Sequence, residues 1–208
     1  PLYEVLHDNL NKIKASKILE QLSIKSKEYF LVSTHREENV DNSANLKKIL
    51  TVLNRLAQEY NLPIIVSTHP RTRKRLEALD ASRMDPRIQF LKPFGFTDYV
   101  NLQMNALCTV SDSGTISEES AILNFPAISL RNSMERPEAQ DAGTIILTGF
   151  DQDIVCGSVK IAVQEHGAKP RKHLPFEYSV PDTSWRVLKL IQGLSSLSNR
   201  WHGVSDTF

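Results

Sequence analysis

The stretch Ser111-Asp-Ser-Gly-Thr-Ile-Ser-Glu-Glu119 concentrates more usable chemistry than any other in the sequence. It follows an apolar run and opens onto a helical pattern. Gly114 lets the backbone come close to a ligand, and the free amides of a first helical turn point at whatever sits there. The helix dipole adds about 0.3–1 kcal/mol for an anion at that position. The same spacing also fits a plain Ser/Asp helix cap, with Glu118 and Glu119 complementing the dipole. The segment is neither the G-x-G-x-x-G dinucleotide fingerprint nor a P-loop, since no lysine follows the glycine. Two acids one turn into a phosphate-binding helix would repel the anion, unless one has another use. A carboxylate that accepts both hydroxyls of a ribose has such a use, and Glu119 is assigned to it.

Other residues supply the opposite charge. Arg131 and Met134-Glu-Arg-Pro-Glu138 follow the fifth apolar run, and arginine offers a rigid fork for phosphate oxygens. A solvated surface arginine is the competing reading for each. His35 and Arg36 end the first apolar run. A histidine there could hold a diphosphate or act as an acid while that group leaves, or it could be a hydrogen-bonded core residue. His69 ends the second run in the same way. Arg71, Arg73, Lys74 and Arg75 form a charge run on a basic helix expected from about Arg71 to Leu79, read as a wet face. Phe94, Phe96 and Tyr99 could wall a base pocket or serve only as packing.

The elements that must position these residues are short. Tyr29–Thr34, Pro63–Thr68, Ile88–Leu91, Leu107–Val110, Ala127–Leu130 and Thr144–Leu147 read as strands. Between them lie helical stripes, such as Leu46, Ile49, Leu50, Leu53, Leu56 and Ala57. Thr97 is expected to cap a helix through Asn105, and another helix is expected to start near Gly114. Leu2, Val5, Leu6, Leu10 and Ile13 mark a helical stripe within residues 1–20. Apolar strands alternating with helices predict an α/β, doubly wound, parallel Rossmann-like sheet covered on both faces. If the order is 3-2-1-4-5-6, the chain reverses between strands 1 and 4, and ligands bind at that reversal beyond the strands' carboxyl ends. The loops there, Thr34–Asn39 and Ser111–Thr115, are also the most polar strand-to-helix junctions.

Bulk properties narrow the function classes. The 208 residues suit one domain with a real core, or slightly more. An apolar fraction of 40% and a charged fraction of 24% describe a soluble globular protein. With 25 basic and 24 acidic residues the net charge is +1, which argues against a long nucleic-acid footprint. No apolar run approaches the ~20 residues that span a bilayer, and nothing resembles a signal peptide, so no membrane partner and a cytoplasmic location are expected. Cys108 and Cys156 form neither a disulfide framework nor a metal site of familiar spacing, and no metal or other cofactor is expected.

Four motifs together resemble the carboxyl-terminal half of the non-hydrolysing UDP-N-acetylglucosamine 2-epimerase family. They are His35-Arg-Glu-Glu-Asn39, Ser111-Asp-Ser-Gly114 with Glu118-Glu119, Glu135-Arg-Pro-Glu138, and Asp141-Ala-Gly-Thr144. Any one would be weak, but their order and spacing also agree over most of the chain. The resemblance implies two Rossmann-like domains in the glycosyltransferase-B arrangement, with a UDP-sugar held mainly by the second. Carried over by position, Ser113 and the amides of Gly114 and Thr115 would hold the diphosphate, aided by His35 and Arg136. His35 would be the catalytic acid. Glu119 would hold the ribose, and Phe94 and Tyr99 would lie against the uracil. The implied mechanism eliminates UDP to a glycal and adds it back to the other face, in making precursors of capsule, O-antigen or other cell-surface polysaccharide. The acids that move the carbon-2 proton belong to the amino-terminal half of the family pattern.

Two positions depart from that pattern: Thr115 stands at a common second glycine, and Glu37 at a common second arginine. His35–Asn42 and Thr68–Arg73 are more similar to a subgroup acting on 6-deoxy sugars, which makes UDP-N-acetyl-L-fucosamine. The chain starts at Pro1, and the expectation is a fragment inactive by itself. Its parts would be a linker helix at 1–27, a UDP-binding domain at 28–180 and a crossing helix and tail at 181–208. Trp185, Leu188, Ile191 and Leu194 form a stripe there, with Leu190, Leu197 and Trp201 beside it. Left bare, that stripe predicts self-association of the fragment, alongside a homodimer for the intact protein. A glycosyltransferase of the same fold and a non-catalytic nucleotide-sugar binding module are the competing functions.

Overall fold

The computed structural model describes residues 1–34, 36, 39, 42–68, 84–168 and 174–202, with the side chains of 196, 199 and 200 left aside. The expected basic helix at 71–79, His69, Glu37 and His35 lie outside the described residues.

At the centre is a six-stranded, all-parallel sheet in the order β3-β2-β1-β4-β5-β6. The strands are β1 (Phe30–Ser33), β2 (Ile64–Ser67), β3 (Ile88–Leu91), β4 (Cys108–Ser111), β5 (Ala127–Ser129) and β6 (Ile146–Leu147). The expected order is therefore observed, with five strands at or inside their predicted runs and β4 shifted one residue on, to end at Ser111. Central strands buried on both faces need apolar residues at every position rather than at alternate ones. β1 shows the consequence: Phe30 and Val32 enter one core, while Tyr29 and Leu31 enter the other.

Two helices cover the first face. α3 (Ser43–Tyr60) buries Leu46, Ile49, Val52, Leu53, Leu56 and Ala57. It starts where the Asn42 side chain accepts from the amides of Ala44 and Asn45, and stops at Asn61 in the left-handed conformation. Beside it, Val155, Cys156 and Val159 of α7 (Gln152–Ala168) join the same cluster. On the second face lie α2 (Ile18–Gln21) and α4 (Phe96–Asn105), through Ile18, Leu102 and Ala106. α5 (Ile116–Leu123) and α6 (Pro137–Asp141) close a further cluster around Phe125, Ala139 and Ile145.

The stripe expected within residues 1–20 lies on α1 (Leu2–Lys14), which ends before α2 begins. Ser16 breaks the run, donating to Asp98 at 2.6 Å and accepting from the Ile18 amide. This is a side-chain alternative to the helical ladder. Thr97 is not a cap, because the Tyr99 amide already bonds Gly95 O and the helix starts one residue earlier. The helix expected near Gly114 starts at Ile116, two residues later. α1 is packed in place, with Leu6 and Ile13 buried against Val100, Met104, Ile122 and Leu123. By contrast α8 (Thr183–Trp201) leaves Trp185, Leu188, Leu190, Ile191 and Trp201 exposed. Its first turn is tied to α1, where Ser184 donates to the Glu4 carboxylate. Among the described residues no helix is long and apolar enough to cross a membrane.

Candidate functional site

The sheet reverses direction between its two central strands. β1 and β4 are paired, with Ser33 opposite Ser111 at their carboxyl ends. The helices that follow them, α3 and α5, pack into different clusters, and a sheet of this order has its crevice above those two serines.

One buried carboxylate joins the two lips. Asp112 is fully buried and accepts from the Arg36 amide at 3.1 Å and from Asn39 Nδ2 at 2.8 Å. Arg36 Nε in turn donates to Asp112 O at 2.9 Å. The reading of Asp112 as a helix cap is thereby excluded. The helix is entered instead through a chain of hydroxyl turns: Ser111 Oγ accepts from the Ser113 amide, and Ser113 Oγ from the Thr115 amide at 3.3 Å. Short polar side chains stabilise loops in this way.

Ser113, Gly114, Thr115, Glu119 and Arg136 come together on the β4 lip. Ser113 Oγ and Thr115 Oγ1 are 2.9 Å apart, and Thr115 Oγ1 donates to Glu119 Oε1 at 2.8 Å. Gln103 Nε2 donates to the other Glu119 oxygen at 2.5 Å. Burial pushes the Glu119 carboxyl above its ordinary range, against the pull of these two donors. Each Glu119 oxygen thus has one recorded donor from the protein, and a carboxylate oxygen can accept two. Thr115 links the Ser113 turn to Glu119.

The worry that two acids would repel an anion resolves differently for each. Glu118 is paired with Arg136 Nε at 2.7 Å, and Arg136 Nη1 donates to Gly114 O at 2.6 Å. Arg136 is therefore fastened over the glycine turn.

Tyr99 and Phe94 lie on the mouth's underside. Both are partly buried and packed on the cluster of Tyr29, Leu31, Ile65 and Leu102. The Tyr99 hydroxyl bonds the Ser33 and Ser111 side chains, and burial holds its pKa well above the usual phenol value. Most of each ring is thus committed to packing. Phe96, grouped with them in the sequence, is exposed.

Three contributors were not assigned from sequence: Gln103, Asn39 and Glu135. Glu135 Oε1 accepts from Arg36 Nη2 at 2.7 Å and from Arg131 Nη2 at 3.0 Å. Donation from Arg131 first, and Arg36 second, holds its carboxyl down at about 2. Asn39 and Glu135 were visible only as members of quoted motifs, and Gln103 carried no motif at all. Among the described residues no group of three His, Cys, Asp or Glu side chains is placed to hold a metal ion.

Comparison with known proteins gives the chain its family. A family model described as UDP-N-acetylglucosamine 2-epimerase matches residues 1–192. A UDP-N-acetylglucosamine 2-epimerase of Methanocaldococcus jannaschii is 37% identical over 141 residues, covering 66% of this chain and 38% of its own. The structure of UDP-N-acetylglucosamine 2-epimerase from Rickettsia bellii is similar with a TM-score of 0.85 and 43% identity, over 96% of this chain and 53% of that one. The M. jannaschii epimerase structure in complex with UDP-GlcNAc and UDP matches with a TM-score of 0.80 and 29% identity, over 91% and 52% of the two chains. The chain therefore spans about half the length of the solved structures it matches, and less of the curated relative. Its sheet is that of one domain of the glycosyltransferase-B arrangement. By the match across residues 1–192, the chain belongs to the UDP-N-acetylglucosamine 2-epimerase family.

Proposed function

We propose that this chain is the UDP-gripping half of a 2-epimerase acting on a UDP-linked N-acetylamino sugar. The observation that carries the reading is the convergence of Ser113, Gly114, Glu119 and Arg136 on one lip of the β1/β4 mouth. The similar M. jannaschii structure, which holds UDP-GlcNAc and UDP, supports it.

In this reading the diphosphate sits over the Ser113–Thr115 turn beside Arg136, and the ribose hydroxyls donate to the Glu119 oxygens. The Ser113 and Thr115 hydroxyls, now bonded to each other, re-aim toward the phosphate oxygens. The reaction removes the carbon-2 proton and breaks the bond from carbon 1 to the diphosphate oxygen, leaving a glycal and UDP. Return of UDP and delivery of a proton to the opposite face complete the inversion. This half holds the leaving group's charge, which grows as the bond breaks, so fixed cations there lower the barrier. His35 is the proposed acid at that oxygen. The proton-moving acids at carbon 2 are assigned to the other half, so the chain alone binds UDP without turnover.

The 6-deoxy amino sugar is the proposed substrate class, on the wording of His35–Asn42 and Thr68–Arg73. The apolar face of α8 is proposed to meet other surfaces of the intact enzyme, a homodimer, and to drive association of the isolated chain.

Calorimetry with Arg136→Ala should show UDP binding weakened by about 1–3 kcal/mol, the size of a charged hydrogen bond; unchanged affinity removes Arg136 from the site. A full-length enzyme in deuterated water should incorporate deuterium at carbon 2 of UDP-N-acetyl-L-fucosamine faster than of UDP-N-acetylglucosamine. The reverse order assigns the plain amino sugar, and no exchange with either defeats the epimerase reading. In sedimentation at high concentration the isolated chain should run larger than a monomer, and a clean monomer refutes the role given to α8.

A further inference from the structure

Arg131 leaves β5 with its carbonyl held by the Gly149 amide at 2.8 Å, and its side chain is only 4% exposed. A buried guanidinium needs acceptors for its N–H groups and an anion for its charge. One Nη bonds Glu135 Oε1, but Nε has no acceptor among the described residues. From the opposite lip, Arg36 Nη2 donates to that same oxygen at 2.7 Å. Glu135 Oε2 rests against Gly114, so closely that a Cβ added at residue 114 would overlap it. A carboxylate is thus seated between two guanidinium groups, on the bare backbone of the glycine turn. The two partners differ in freedom: the Glu135 side chain is 47% exposed and able to leave, whereas Arg131 is fixed.

We propose that Arg131 and Arg36 form an anion subsite, which Glu135 fills in the free protein and a phosphate group of the ligand takes over on binding. The proposal rests on the UDP reading above and extends it to two arginines. A carboxylate brings one charge and two oxygens, and leaves Arg131 Nε unmatched. The terminal phosphate of UDP, or of pyrophosphate, brings more charge and three oxygens, enough to meet Nε and Nη together. Exchange of one anion for the other keeps the buried cation compensated throughout, so binding never passes through an unpaired Arg131. Gly114 leaves room for either occupant. The same two arginines keep Glu135 ionised at neutral pH, so it competes wherever the protein operates.

The test titrates UDP and inorganic pyrophosphate into the chain and into Glu135→Gln, with melting followed in parallel. Loss of the competitor should tighten both ligands roughly tenfold, the lower end for one charged hydrogen bond. The variant should melt lower than the wild type without ligand, because Arg131 loses its counter-ion, and saturating pyrophosphate should close that gap. Affinity for pyrophosphate that stays equal or falls, with wild-type binding intact, overturns the subsite alone, since Glu135 would then be orienting the arginines for the ligand. A wild-type chain that binds neither probe removes the UDP reading together with the subsite.

Discussion

Two adjacent parallel strands whose following helices pack into different clusters leave a gap that nothing in the sheet's ladder can close. Asp112 closes it by reaching across. Its carboxylate bonds the Arg36 amide and the Asn39 side chain, and its own carbonyl accepts from Arg36 Nε. Such a group is stable in a buried place only because its oxygens have donors, and removal of those donors would leave an unpaired charge. The bond fixes the distance between the lips, and hence the size of any group the mouth can admit. Arg36 and Glu135 make a second link across the mouth, and the remaining groups of the site sit on one lip or the other.

Charge is matched locally across the mouth. Arg136 has Glu118, and Arg131 and Arg36 share Glu135. Glu119 makes no salt bridge with an arginine among the described residues and is held by neutral donors, Gln103 and Thr115. That division suits a ligand with an anionic part and a polyhydroxyl part. The first can replace a carboxylate between cations, while the second needs an acceptor that no cation has claimed.

Much of the architecture was legible because it follows from local pattern. Six apolar runs at parallel-sheet spacing gave the strands, and the common doubly wound order, which the sheet has, located the crevice at Ser33 and Ser111. Some details the local pattern does not carry. Ser16 ends α1 through Asp98, 82 positions away, and α4 starts from the extended Gly95, ahead of Thr97, with no side-chain cap. Glu135 and Arg36 are 99 positions apart, so neither spacing nor propensity could pair them. Gln103 is silent in sequence for a similar reason: a glutamine on a helix becomes informative only when a buried carboxylate is found against it. Tyr99 was legible as an aromatic near the mouth, but its commitment to the underside depends on which face α4 packs.

The most direct measurement is a crystal structure of this chain grown with saturating UDP. The account requires diphosphate oxygens within hydrogen-bonding reach of the Ser113–Thr115 turn and of Arg136, and the ribose hydroxyls on Glu119. UDP lodged on another surface, or a mouth still filled by its own side chains with the nucleotide elsewhere, would contradict it.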